Sequence, residues 1–223
     1  MSATPFALLA GATGAVGSRL LELLLERPDG TRVITVGRRA PPRSHARLEH
    51  LQAELTRIPE VLAEHRCSEA FCCLGTTLRT AGSKAAFRAV DLDGVAGFAQ
   101  AAHAAGAGFF GLVSSAGADA RALSFYLRTK GEAEAAVEAL GFRSLAIMRP
   151  GLLRGTREEF RALERLGQLA APLMDRMLIG GLASYRSVPT DAVAAALEAA
   201  ARCRAAGVHR FDPAGIETLA GER

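Results

Sequence analysis

The sequence predicts an α/β fold: a doubly wound parallel sheet with helices on both faces and a small C-terminal, substrate-side extension. Short apolar runs of β type alternate with longer runs of helical spacing almost from the first residue, and turn signals separate them. Strands that alternate with helices need crossover connections, which make the sheet parallel and cover both of its faces. Length agrees, since 223 residues can bury a large core without division, so one domain over residues 1–223 is expected.

Taken in order, Phe6–Ala10 reads as a buried strand. Ala15–Arg27 carries Val16, Leu20, Leu23 and Leu24 at helical spacing and stops at the Pro28-Asp29-Gly30 turn. Arg32–Val36 is the second strand, Leu48–Leu55 holds a short third, and Ile58–His65 is a helix. Ala70–Leu74 is the fourth strand and Ser83–Ala105 one helix. Phe109–Val113 is the fifth strand, followed by an alanine-rich helix over Ser124–Leu140 that Gly141 closes. Leu145–Met148 is the sixth strand, ended by Arg149-Pro150-Gly151. The rhythm breaks over Gly167–Val188, rich in Gly, Met and Leu. Residues 155–190 are therefore expected to form a lid on the substrate side, with Gly180-Gly181 as hinges. Asp191–Arg202 is helical again and Val208–Asp212 is a last strand.

Composition removes several function classes. Hydrophobic residues at 49% and charged residues at 22% are ordinary for a globular protein, while 5% aromatics without Trp leave little surface for stacking bare bases. The net charge of +4 comes from scattered arginines, with no arginine-rich arm, zinc-finger spacing or RNP motif, so no nucleic-acid partner is expected. The four cysteines include no CxxC pair. Adjacent Cys72 and Cys73 on a strand would point to opposite faces, so no metal site is expected, and free thiols in a reducing cytosol are the reading. No signal-like core and no apolar stretch of membrane-spanning length is present, which predicts a cytoplasmic protein without a membrane partner. Heavy use of Ala, Arg, Leu and Gly resembles a GC-rich bacterial genome, and a bacterial source is expected.

Gly11-Ala12-Thr13-Gly14-Ala15-Val16-Gly17 follows the first strand and opens the first helix. One glycine allows the tight turn, one lets the backbone approach a pyrophosphate, and one lets the helix pack close on the sheet. The first-turn N–H groups and the positive helix end then hold the anion. An ordinary Gly-rich turn is the alternative, but the strand before and the helix after favour dinucleotide binding and the Rossmann-type form of the fold. At the end of the second strand Gly37-Arg38-Arg39 offers no carboxylate to hold a ribose 2′-hydroxyl and two guanidiniums to grip a 2′-phosphate. NADP(H) is therefore the expected cofactor; the alternative is a solvated arginine pair.

The fifth strand runs into Ser114-Ser115, with Tyr126 and Lys130 beyond. Tyr and Lys at i and i+4 share one helix face, which suits a phenol acting as general acid/base beside an ammonium. Tyrosine ionises near pH 10, so work near neutrality needs a change of about 3 units, or about 4 kcal/mol. One positive charge some 4 Å away at an effective dielectric near 20 supplies about that much. Either serine could hydrogen-bond the substrate oxygen, Ser115 being preferred. The bland alternative is an exposed pair on an amphipathic helix.

With these residues in place the chain resembles the atypical or extended branch of the short-chain dehydrogenase/reductase superfamily, and more narrowly the Tat-interacting oxidoreductase-like proteins and their bacterial relatives. The matching stretches are GATGAVG at 11–17, VGRR at 36–39, FCCLGTT at 71–77, VD at 90–91, SSAGAD at 114–119, YLRTKGEAE at 126–134 and RPGLLRG at 149–155. The resemblance implies that Gly11, Thr13, Gly14, Ala15, Val16 and Gly17 line the pyrophosphate and that Gly37, Arg38 and Arg39 surround the 2′-phosphate. It implies that Cys73, Leu74, Gly75 and Thr76 pass under the adenine-ribose, that Lys130 also reaches the cofactor, and that Pro150, Gly151 and Leu152 flank the nicotinamide. One departure is LQAEL at 51–55, where such proteins carry an Asp near the adenine; Glu54 is the candidate stand-in.

Three functions compete on this reading. The first is an NADP(H)-dependent oxidoreductase that acts on a small-molecule carbonyl or alcohol, with Tyr126 handling the proton. The second is an NADP(H)-sensing regulatory protein without turnover, which would have no need for the Ser/Tyr/Lys set. The third is a sugar-nucleotide epimerase, for which the C-terminal part is small. A monomer or a homodimer fits any of them.

Overall fold

The computed structural model describes residues 6–154 and 186–221. Among them, a seven-stranded sheet has the order β3-β2-β1-β4-β5-β6-β9, and every pairing in it is parallel. The strands are β1 (Phe6–Ala10), β2 (Arg32–Gly37), β3 (Leu48–Gln52), β4 (Glu69–Cys72), β5 (Phe109–Val113), β6 (Ser144–Met148) and β9 (Gly207–Phe211). A short second sheet pairs β7 (Leu153–Arg154) with β8 (Val188–Pro189). The helices are α1 (Ala15–Glu26), α2 (Ile58–Leu62), α3 (Leu78–Ala81), α4 (Lys84–Arg88), α5 (Val95–Ala104), α6 (Phe125–Glu138), α7 (Thr190–Cys203) and α8 (Pro213–Gly221).

The period-two alternation of each strand explains the two layers. Leu8, Ala10, Ile34, Val36, Ala70, Phe110, Leu112, Leu145 and Ile147 form one core with residues of α2, α5 and α6. Ala7, Leu9, Val33, Phe71, Phe109, Ala146 and Met148 form the other with residues of α1, α7 and α8. Gly111 lies under α7, where a Cβ would come 2.9 Å from Leu197 Cδ2, so the bare backbone allows the helix to sit this close.

Most of the expected elements recur within a few residues; the short pair β7 and β8 is an addition to them. Ser83–Ala105 is not one helix: a π turn over Ala89–Gly94 separates α4 from α5. Gly94 packs closely at this turn, because a Cβ there would lie 3.1 Å from Leu55 Cδ1 and 3.2 Å from the Ala89 carbonyl oxygen. Helices α3 and α8 were not foreseen; α3 is a single turn, capped by the Thr77 hydroxyl accepting from the Thr80 N–H. The expected lid falls almost wholly outside the described residues; of residues 155–190 only Arg186–Thr190 are included, Val188 and Pro189 in β8 and Thr190 opening α7.

The thiols follow their burial. Cys67 and Cys72 are buried, and desolvation pushes each thiol up to about 12, so neither is a thiolate near neutral pH. Cys203 is free and exposed.

At the far end of the sheet from the Gly-rich turn, four charged groups meet. The Arg27 guanidinium contacts the carboxylate of Glu69 and, at 3.1 Å, that of Glu198, while Arg204 reaches Glu69 at 3.2 Å. Arg27, Glu69 and Glu198 are buried. Two cations and two carboxylates balance, as burial of charge requires.

Candidate active site

The order of the strands reverses at β1, which has β2 on one side and β4 on the other. In open α/β sheets a ligand crevice forms outside the carboxyl ends of the strands at this point. Gly11 sits there with φ +81°, in the left-handed region, and a Cβ on it would lie 2.4 Å from the Cys73 carbonyl oxygen. Gly17 lets α1 close onto the turn, since a Cβ would lie 2.1 Å from the Gly11 carbonyl oxygen. Gly14 opens α1 with no side-chain cap, which leaves the first-turn N–H groups to an incoming anion. A nicotinamide dinucleotide fits this cradle: its glycines keep the backbone bare where α1 opens, and no side chain caps that helix start.

The other expected contacts surround that cradle unevenly. Thr13 and Ala15 are half-buried, whereas the Val16 side chain belongs to the core, so only its main chain is available. Arg38 and Arg39 are exposed just beyond Gly37, the last residue of β2. Cys73, Leu74 and Thr76 are half-buried and Gly75 is exposed in the loop after β4, which is tied to β1 by Cys73 N–H donating to the Ala10 carbonyl at 2.9 Å. Glu54 is exposed at the start of the 3-10 turn Leu55–Arg57. Beyond β6, Pro150 is buried, Gly151 half-buried and Leu152 exposed; the Pro150 carbonyl accepts from Ala116 N–H at 2.8 Å.

Tyr126 and Lys130 stand one turn apart near the start of α6, which Ser124 caps. The Tyr126 ring is half-buried and packs on Phe87 with centroids 5.6 Å apart. Lys130 is buried, and its Nζ lies 2.6 Å from Oδ1 of Asp91, which has no exposed surface. Burial pushes the ammonium down, but the Asp91 carboxylate together with Tyr126 and Cys72 outweighs it and holds Lys130 above the usual lysine value. The charge beside Tyr126 is therefore half of an ion pair, its partner Asp91 arriving from the π turn between α4 and α5.

The two serines part company. Ser114 is buried and its hydroxyl donates to the Glu134 carboxylate. Ser115 is half-buried, and its hydroxyl makes only a 3.4 Å contact with the Ala116 carbonyl. Glu134 also accepts from Arg149 Nε at 3.0 Å and lies 3.6 Å from Arg210 Nε. This cluster joins the ends of β5 and β6 to α6. Sequence reasoning gave no role to Asp91, Glu134 or Arg149. A signal existed for two of them: Glu134 follows Lys130 at i+4, and Asp91 is an acid within an otherwise apolar Val90-Asp91-Leu92 run.

The fold and cradle define a nicotinamide-dinucleotide-binding protein, and the chain belongs to the NAD(P)H-binding family, whose model matches residues 11–201. The resemblance to short-chain dehydrogenases/reductases and Tat-interacting relatives holds. The chain is 37% identical over 179 residues, 76% of each chain, to Protein fmp52, mitochondrial, of Emericella nidulans. It is 38% identical over 163 residues to Protein HTATIP2 of Rattus norvegicus, covering 71% of this chain and 66% of that one. Among solved structures, a short chain dehydrogenase family protein from Francisella tularensis superposes with a TM-score of 0.70 at 14% identity, covering 97% and 99% of the two chains. MoeE5 in complex with UDP-glucose and NAD superposes with a TM-score of 0.68 at 18% identity, covering 97% of this chain and 81% of that one. These last two likenesses are of fold. The expectations of a bacterial source and a cytoplasmic location are corrected by the relatives, which are fungal proteins named as mitochondrial and a mammalian protein. Composition reflects codon usage and does not fix lineage, and neither unpaired cysteines nor the lack of a signal-like apolar core fixes a compartment.

Proposed function

We propose that this chain is an NADP(H)-dependent oxidoreductase of the short-chain dehydrogenase/reductase type, acting on a small-molecule carbonyl or alcohol. The observation that carries the reading is the placement of Tyr126 and Lys130 one turn apart near the start of α6, with Ser115 just beyond the end of β5 and the loop after β4 bringing Gly75 against Lys130 beside the glycine cradle. When bound, the nicotinamide supplies or accepts the hydride. Ser115 hydrogen-bonds the substrate oxygen, Tyr126 Oη gives or takes the proton there, and Lys130 steadies the phenolate that results. Ser114 serves the fold through Glu134. The test follows NADPH absorbance across a panel of aldehydes, ketones and quinones. Oxidation by at least one carbonyl class is expected; none across the panel, with NADPH shown to bind, would overturn turnover in favour of a sensing protein.

The preference for NADP(H) rests on Arg38 and Arg39, both exposed where β2 ends. Each charge-assisted contact to a 2′-phosphate contributes about 1.5–3 kcal/mol. Changing both to Ala is expected to lower the preference for NADPH over NADH about tenfold or more, at nearly constant NADH affinity. Calorimetric titration checks this, and equal affinity of the unaltered protein for the two cofactors would refute it.

A further inference from the structure

Resting on the oxidoreductase reading for the place of the reacting group, we propose that Leu123 is a specificity-determining residue, held at the mouth of the site to receive an apolar chain attached to the reacting carbonyl or alcohol carbon. Among the described residues four large apolar side chains are exposed: Leu78, Leu123, Leu152 and Val208. Val208 lies on β9, at the edge of the sheet, but the other three lie on the connections that leave β4, β5 and β6. Those strands are neighbours and run parallel, so the three connections share one end of the sheet. The middle connection starts at Ser114-Ser115 and runs into α6, with Tyr126 in its first turn. Single exposed leucines on a surface are ordinary; three on adjacent loops around one site point to an apolar ligand.

Leu123 is the most exposed of the three, fully open to solvent, yet its backbone is fixed. It directly precedes Ser124, the cap of α6, and from that position an apolar side chain commonly folds back onto the fourth residue of the helix. In this chain the fourth residue is Arg128, whose Nη1 donates to the Ala122 carbonyl at 2.9 Å and the Leu123 carbonyl at 3.3 Å. Further back, the Asp119 N–H donates to the Leu127 carbonyl at 3.2 Å, and the Ala122 N–H to the Asp119 carbonyl at 2.9 Å. Gly131 lets the same loop lie against α6, since a Cβ on it would come 2.2 Å from the Ala120 nitrogen. The main chain around Leu123 is thus fastened to the helix that carries Tyr126, while its side chain is left to a ligand. A loop ordered before binding loses little freedom when its leucine is covered, so the apolar area buried goes into affinity.

The test uses straight-chain methyl ketones from butanone to octanone, added to the protein with NADP+ and followed by ligand-observed NMR. A ketone and an oxidised cofactor cannot react, so the readout is binding alone. Affinity of the unaltered protein is expected to rise about two- to fourfold per added methylene. Leu123→Ser is expected to flatten that rise, with an unchanged melting temperature because the side chain it replaces is already exposed. Arg128→Gln, which can still serve one of the two carbonyls, should give an intermediate slope. With NADPH in place of NADP+, kcat/KM across the series should follow the same order of slopes. A flat series in the unaltered protein, or an equal slope in Leu123→Ser, overturns the proposal. So does a smaller mass in solution for Leu123→Ser than for the unaltered protein, because a second copy of the chain would then be what covers Leu123. The expected slopes without any NADPH oxidation would support Leu123 as the apolar contact while removing turnover, so the two readings fail separately.

Discussion

Tyr126→Phe is expected to lower turnover of any accepted carbonyl substrate by about 10²–10⁴-fold, the ordinary contribution of a positioned general acid/base. That corresponds to about 3–5 kcal/mol of barrier. The change is clean because the ring's packing is kept. Tyr126 contacts Phe87 through its ring, and phenylalanine preserves that contact while removing only Oη. Thermal stability and NADPH affinity should therefore stay nearly constant, so a fall in rate reports the hydroxyl and not a disturbed helix. Loss of Lys130 should differ in kind. Removing it leaves Asp91 without its cation in a place with no exposed surface, so stability and cofactor affinity should fall together with turnover. The measurement is NADPH oxidation by unaltered and Tyr126→Phe protein side by side, with melting curves for both. Equal rates would remove Tyr126 from the mechanism.

Glu69→Ala is expected to destabilise the fold by about 3–5 kcal/mol, the usual cost of breaking a buried pair from one side. For a chain of this size that lowers the melting temperature by roughly 6–20 °C. Glu69 is buried within β4 and meets both Arg27 and Arg204; removing it leaves Arg27 with the buried carboxylate of Glu198 and takes the Glu69 contact from Arg204. Burial pushes the Glu69 carboxyl above its ordinary value, with the two arginines pulling it back in part. An acid raised by folding contributes stability that is present at low pH and is lost as pH rises through the raised value. Glu69→Gln, which resembles the protonated form, should therefore cost less than Glu69→Ala. The network lies at the amino end of β4, away from the cradle at the other end. Cofactor affinity should accordingly be unchanged in whatever fraction stays folded. A melting temperature within a degree or two of the unaltered protein would show that the network carries no net stability.

The parts of this protein that its sequence determined are those encoded by near neighbours. Short continuous apolar runs placed β1 and β5, and an alanine-rich run closed by a glycine placed α6, nearly to the residue, because strands buried on both faces are apolar throughout. Gly11, Gly14 and Gly17 lie within a single turn, and Tyr126 and Lys130 share a face through helical spacing alone, so both were legible before any strand order was known. Tertiary structure decided which charges meet. Asp91 reaches Lys130, and Arg27 reaches Glu69 and Glu198, only because the sheet takes the order β3-β2-β1-β4-β5-β6-β9, which no short-range pattern contains. It also separated Ser114 from Ser115. Adjacent residues at a strand end look alike in sequence, but the Glu134 carboxylate from α6 engages the Ser114 hydroxyl and not that of Ser115.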